Sequence, residues 1–415
     1  MREAQELLDG KSPADARVFQ VTEGEDGAHL IYPDTPCFLI GGRRFVFGTP
    51  QGHRICDLDA GGAMRNLFPD GRRRRDVTVY PDGSAAAFVE HSAEGSGTFS
   101  LWRFDVETSR CEEIFHAEGK VPGVGLTADK LGVSTVSSDG RRFATTVFLG
   151  DGTKADAPFG IVVIDTDSGE VRIAAQDRDF HNSHLQYCRS MDPIASHDLL
   201  IQMNHGSHTD ESGRVILGLG PPCDGGADVH VVRDNGANWR DLPWGRDGRE
   251  SCIGHQMWRG GGRSAVTVTL QNMDASYGWA DGSRQEVVAG WPVPADKDRD
   301  HIGRLHPGAR RVLLSEGFGG GRFCHLTVDA SGLRLAFDTF PIFDGNQAGM
   351  LLYVASAPDE LSPLRFQYVL NTGMTFGGKR WDHAHPVLSP GGGEVLFNST
   401  ISGWPQIYMV SGMEY

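Results

Sequence analysis

Apolar and polar residues alternate along most of this chain in short runs, and each run ends at a turn signal. FLIGGRRFVFGT around Gly41, VTVYPDGSAAAFVE around Asp82 and VSTVSSDGRRFATTVF around Asp139 each read as strand, tight turn, strand. A looser copy, LQYCRSMDPIASHDLLIQM, surrounds Asp192. HQMWRGGGRSAVTVTL follows around Gly261, IGRLHPGARRVLLSE around Pro307 and HPVLSPGGGEVLFNST around Pro390. Asp-Gly and Gly-Gly supply the positive φ values that short hairpins need. The seven copies lie roughly 40–80 residues apart, room for one four-stranded sheet each. SLWRFDVETSRCEEIF (Ser100 to Phe115) and GIVVIDTDSGEVRIAA (Gly160 to Ala175) read as the outer hairpins of two such sheets.

This pattern predicts an all-β fold, a seven-bladed β-propeller forming a single domain over residues 1–415. Residues 1–16 are an N-terminal extension in which Ala4 to Leu8 is expected to form a short helix. The C-terminal PQIYMVSGMEY offers a strand without its outermost partner, and Arg17 to Thr22 is expected to supply it. Pairing of the N- and C-terminal strands then closes the ring and leaves no open sheet edge. A β-helix or a pair of β-sandwiches is disfavoured by the regular spacing of the turns.

Composition agrees: 55 Gly and 21 Pro suit many short strands joined by tight turns. The formal net charge of -15 argues against a nucleic-acid partner, which needs a basic surface, but allows an anionic small substrate at a local Arg and His cluster. Seven Cys without a CxxC indicate neither a disulfide framework nor a zinc finger. The first residues lack the apolar stretch of a secretory signal, and no apolar run reaches the ~18 residues of a membrane span, so no membrane partner and a cytoplasmic location are expected.

Histidine placement is the most informative feature. His184 precedes the Asp192 turn, His255 the Gly261 turn, His301 the Pro307 turn and His385 the Pro390 turn, with His383 two residues before His385. Repeats four to seven therefore each carry a His at the start of their innermost strand, where equivalent positions are expected to meet near one mouth of the channel. The first three repeats have Cys37, Thr78 and Ser134 at or near that place. In His383-Ala384-His385, residues i and i+2 of a strand point to one face, so two imidazoles, joined by His301, suit one divalent cation. His205, His208 and Arg214 lie close together in QMNHGSHTDESGRV, and Arg380 and Asp382 immediately precede the histidine pair. The run Arg72 to Arg75 reads as a solvated loop.

HLQYCRSMDP, NHG with Arg214 nine residues on, GHQMWRGGG, DHIGRLHPG and HAHPVLSPGGGEVLFNSTISGWPQIYMV resemble, in that order, the oligogalacturonate lyases. The resemblance covers roughly Asp177 to Tyr415. It implies a seven-bladed propeller that cleaves acidic oligosaccharides of 4-linked uronic acid by β-elimination, with a divalent metal ion, Mn2+ in that family. It places His301, His383 and His385 on the metal, His255 as general base, Arg214 as an active-site arginine, and His184 and His205 as substrate contacts. The family has a Gln metal ligand three residues before the first His of the pair; here that position is Arg380, whose guanidinium cannot ligate a cation, so either water or Asp382 joins the three histidines or Arg380, as a substrate contact, does part of the metal's work. An insertion, GLGPPCDGGADVHVV, also separates Arg214 from His255. Two other readings are a non-catalytic propeller scaffold and a different metal-dependent sugar enzyme. No G-x-S-x-G elbow is present, which disfavours a companion α/β-hydrolase domain.

Overall fold

The computed structural model describes residues 1–70, 74–91, 99–119, 131–206, 208–216, 226–245, 250–252, 254–271, 284–294, 310–319, 322–340, 342–344, 347–374 and 383–414. The fold is all-β, a seven-bladed β-propeller, and its blades fall into two compact units. One unit comprises Met1–Arg73, Asp82–Ser84 and Leu314–Tyr415; the other comprises Arg74–Pro81 and Ala85–Leu313.

The first unit holds blades one, six and seven. Blade one is built from His29–Leu30, Arg44–Thr49, Gly52–Asp57 and Ala63–Asn66. Blade six runs through Phe323–Val328, Arg334–Thr339, Leu351–Ser356 and Arg365–Asn371. Blade seven places Val387–Leu388, Glu394–Ser399 and Gln406–Ser411 beside Arg17–Gln20, with Arg2–Glu3 as a fifth, outermost strand. Val18 lies opposite Val410, so both ends of the chain share one sheet, as the sequence predicts. The expected N-terminal helix is a single 3-10 turn, Gln5–Leu7, seated by the buried Leu7.

The second unit holds blades two to five. Blade two is Arg75–Val79, Ala85–His91, Phe99–Asp105 and Cys111–Ala117. Blade three is Leu131–Val136, Arg142–Phe148, Phe159–Asp165 and Val171–Asp177. Blade four follows with Gln186–Tyr187, Asp198–His205, Gly226–Arg233 and Arg240–Asp241, and blade five with Met257–Arg259, Ser264–Gln271, Arg284–Gly290 and Arg311–Leu313. Glu250–Cys252 pairs with both and joins them into one sheet.

The inner hairpins share one turn. The N–H of Gly42, Gly140, Gly262, Gly332 and Gly392 donates to the carbonyl of the residue three before it, Leu39, Ser137, Arg259, Asp329 and Ser389 respectively. All five glycines have positive φ, which side chains rarely adopt. Gly83 takes the same place in blade two, where an added Cβ would also meet the Ile40 nitrogen at 2.1 Å.

One repeat is corrected. Pro307 lies outside the described residues, but the strand that follows it, Arg311–Leu313, pairs with Arg284–Gly290 as the outer strand of blade five and not in an inner hairpin of blade six. The true hairpin turns at Asp329–Gly332, within CHLTVDASGLRLAFDT. Pro-Gly followed by an apolar run imitates the hairpin signature, and only strand pairing separates the two.

Apolar side chains fill the spaces between successive blades within each unit. Ala87, Leu101, Phe143 and Ile164 belong to a cluster from blades two and three, and Ala336, Val354, Phe397 and Tyr408 to one from blades six and seven. A fully buried Leu, Ile, Val or Phe among them contributes about 1.5–3 kcal/mol of hydrophobic stabilisation. The innermost strands are stapled by polar bonds. Tyr187 N–H donates to Thr135 Oγ1 at 3.2 Å, Trp258 Nε1–H to the Gln186 carbonyl at 3.2 Å, and Leu388 N–H to Thr327 Oγ1 at 3.2 Å.

Candidate functional site

The residues that open the inner turns of blades four to seven are Cys188, Arg259, Asp329 and Ser389. Four residues ahead of them stand His184, His255, His325 and His385. His184, His255 and His385 hold left-handed backbones, with φ of 44°, 60° and 46°. Such a conformation costs a non-glycine residue of order 1 kcal/mol and concentrates at functional positions. His325 reaches its place by a register shift between Phe323 and Leu326, which breaks the ladder at its own position.

In the first unit three imidazoles converge. The possible ligand atoms of His325, His383 and His385 all lie within 4.8 Å of one another. The rings of His383 and His385 stack at 5.4 Å, and His325 stands edge-on to both, at 4.9 and 4.3 Å. Asp338, wholly buried on the second strand of blade six, organises the group. Its Oδ1 accepts the His325 N–H at 2.7 Å and lies 3.0 Å from His325 Nδ1, while Oδ2 accepts the His385 N–H at 2.9 Å. A carboxylate at Nδ1 places the ring proton there and presents Nε2 as the ligand atom. Burial pushes the Asp338 carboxyl up, against the pull of the neighbouring imidazoles. Asn398 ties the histidine pair to the sheet through the carbonyls of His383, at 3.2 Å, and Ala384, at 2.7 Å. Tyr32 packs edge-on against His325 and His385. Three imidazoles backed by a carboxylate fit a borderline divalent cation such as Mn2+ or Zn2+.

In the second unit His184 and His255 meet edge-to-face, 5.2 Å between ring centroids. Gly254, at φ 85°, admits the chain beside Gln202. Trp258, fully buried, locks His255 to blade four through its bond to Gln186, whose amide in turn donates to the Gln256 carbonyl at 2.6 Å. The Gly-His-x-x-Trp spacing thus gives a glycine with positive φ, a half-buried imidazole and, within the strand Met257–Arg259, a buried anchor. Asn182 Nδ2 lies 3.1 Å from His184 Nε2 and orients that ring.

His205 is held between two carboxylates. Its Nδ1 lies 2.7 Å from Asp179 and its Nε2 2.7 Å from Asp228, so both nitrogens are engaged by carboxylates. Asp228 also faces His230 Nε2 at 3.4 Å, and His230 Nδ1 lies 2.8 Å from Asp241. Burial pulls the His230 imidazolium down, but hydrogen bonds and charge from Asp228 and Asp241 outweigh it and raise its pKa to about 9. Burial likewise opposes the Asp228 anion, yet His205 and His230 hold that carboxyl far below its usual range. The His230 contribution is therefore complete below its unfolded pKa of about 6.5 and disappears as pH rises through about 9. Stability measured by denaturant titration is expected to fall by about 3 kcal/mol between pH 6 and pH 10 on this account, with the slope flattened in His230→Gln.

Arg214 lies in the turn between His208–Thr209 and Val215–Ile216, its N–H donating to Asp210 Oδ1 at 2.9 Å and its side chain exposed. His301, Arg380 and Asp382 lie outside the described residues. The place assigned to His301 in the sixth repeat is occupied by His325, which sequence reasoning missed along with Asp338. Its signal is the same offset from a turn, masked by choosing the wrong turn.

No protein-family profile matches the chain, and no curated protein matches it. Among solved structures it is similar to an oligogalacturonate lyase from Vibrio parahaemolyticus, at 16% identity and a TM-score of 0.68, covering 97% of this chain and 96% of that one. An oligogalacturonate lyase in complex with manganese is 17% identical with a TM-score of 0.65, covering 100% and 97%. The β-propeller domain of the Trilobed protease from Pyrococcus furiosus is 13% identical with a TM-score of 0.52, covering 95% and 96%. The resemblance drawn from the motifs thus extends to the fold over the full length. Because a lyase and a protease share that fold, chemistry has to be argued from the side chains.

Proposed function

We propose that this chain is a metal-dependent lyase that cleaves 4-linked uronic-acid oligosaccharides by β-elimination. The observation that carries this reading is the carboxylate-backed triad His325, His383 and His385. The manganese complex of a structurally similar oligogalacturonate lyase supports the same ion class.

The C5 proton of a uronate lies α to a carboxylate, so its removal builds an enolate-like dianion. A divalent cation held by His325, His383 and His385 supplies Lewis-acid neutralisation of that charge when bound. His255 is the base: a neutral imidazole near pH 7 accepts the C5 proton, a contribution of roughly 10²–10⁴-fold. The C5 electron pair forms the C4=C5 double bond, and the C4–O bond breaks with its electrons leaving on the glycosidic oxygen. His184 packs against His255 and sets its ring orientation. Arg214 and Arg380 are assigned to the substrate's carboxylates, where a guanidinium binds bidentately.

With Mn2+ supplied, a panel of 4-linked galacturonate, glucuronate and mannuronate oligosaccharides is expected to yield at least one 4,5-unsaturated product, read by growth of ultraviolet absorbance. Hydrolysis to saturated ends, or no product across the panel, overturns the lyase reading.

A further inference from the structure

The offset that locates the histidines picks out another side chain. In blade two the residue opening the inner turn is Tyr80, whose N–H donates to the Ala85 carbonyl at 2.9 Å. Four residues ahead of it stands Asp76. Its φ is 48°, against 44° at His184 and 60° at His255 in the same unit. It also lies within a register shift, between Arg75 and Thr78, like the one that re-aims His325 in blade six. Bulges at such places redirect a side chain away from the ladder and recur beside active sites. Ser134 Oγ, on the innermost strand of blade three, donates to the Asp76 carbonyl at 3.0 Å and fixes the distorted backbone.

Within the second unit the innermost strands of blades two to five are linked in sequence by Ser134 to Asp76, Tyr187 to Thr135 and Trp258 to Gln186. Asp76, His184 and His255 therefore occupy one repeat position on one run of adjoining strands. The other backbone that these blades bend into the left-handed region at this point carries an imidazole in each case. Asp76 is half-buried, so it has an outlet to solvent.

We propose that Asp76 is a substrate-contacting, specificity-determining residue that accepts hydrogen bonds from ring hydroxyls of the oligosaccharide. This rests on the uronate lyase reading. A carboxylate only accepts, so it suits the hydroxyl donors of a pyranose. Its charge repels a uronate carboxyl, so it orients the sugar with hydroxyls toward blade two and the acid group away from it.

The test is Asp76→Asn, because Asn tolerates the left-handed backbone and keeps the side-chain size. In the Mn2+-loaded protein, KM for the preferred uronate oligosaccharide is expected to rise about tenfold while kcat changes less than about threefold, the signature of lost uniform binding. Oligosaccharides with individual hydroxyls methylated close the cycle: blocking the partner hydroxyl weakens the parent protein but not Asp76→Asn. Equal penalties in both proteins for every methylated oligosaccharide, or unchanged kinetics in the variant, overturn the assignment. Calorimetric binding of a galacturonate trisaccharide separates the two readings. If the parent binds without forming unsaturated product, the lyase reading fails and the same cycle run on Kd decides Asp76; if the parent neither binds nor turns over uronates, both fall.

Discussion

His325→Ala is expected to lower cation affinity by at least about 100-fold, leaving the purified protein depleted of divalent metal after dialysis. The expectation follows from donor count. His325, His383 and His385 bring their ligand atoms within 4.8 Å of one another, and removal of one leaves two imidazoles to hold the ion. Loss even of an outer partner typically costs 10–100-fold, so loss of a ligand costs more. Asp338→Asn is expected to fall in that intermediate range, because it keeps the shape of the buried side chain but not the acceptor that fixes His325 Nδ1. His301→Ala is the informative companion, since the motif comparison assigns the sixth-repeat ligand to His301. Metal content measured by mass spectrometry, with titration calorimetry of Mn2+, ranks the variants. Full metal retention in His325→Ala removes the triad from the mechanism.

His255→Asn is expected to lower kcat about 10²–10⁴-fold with the cation still bound. Asn is the preferred replacement because residue 255 has φ 60°, where Ala adds backbone strain and Asn does not. His255 is paired edge-on with His184 and braced by Trp258. As the base rather than a ligand, its loss should leave Mn2+ titrations unchanged while removing the limb of the pH–rate profile that reports a neutral base. If the variant keeps the activity of the parent, another group takes the C5 proton. Parallel loss of metal and activity would instead give His255 a role in holding the cation.

Much of this was legible before the structure. The repeated Asp-Gly and Gly-Gly turns forecast the inner hairpins because their φ requirements are local, and Gly140, Gly262 and Gly392 hold the positive φ that those turns demand. The pairing of Arg17–Gln20 with Gln406–Ser411 was legible because an unmatched terminal strand leaves a sheet edge that needs covering. His383 and His385 were visible from an i, i+2 spacing. His325 was hidden because two segments, one at Pro307 and one at Asp329, carry similar turn chemistry. Asp338 was hidden for a different reason: a buried Asp in an apolar strand looks the same in sequence whether it braces an imidazole or ends a ladder.

By itself the sequence determined the strand–turn period, the number of blades and the kind of side chain that recurs at the start of the inner strands. Those properties are set by φ preference and by alternation along a single strand. Only tertiary structure decided which turn opens blade six, that His205 sits between Asp179 and Asp228, and that His325 joins the histidine pair. These depend on which strand pairs with which and on where carboxylates from distant segments arrive. Hydrogen bonds between such segments are made across space, and nothing in local spacing encodes them.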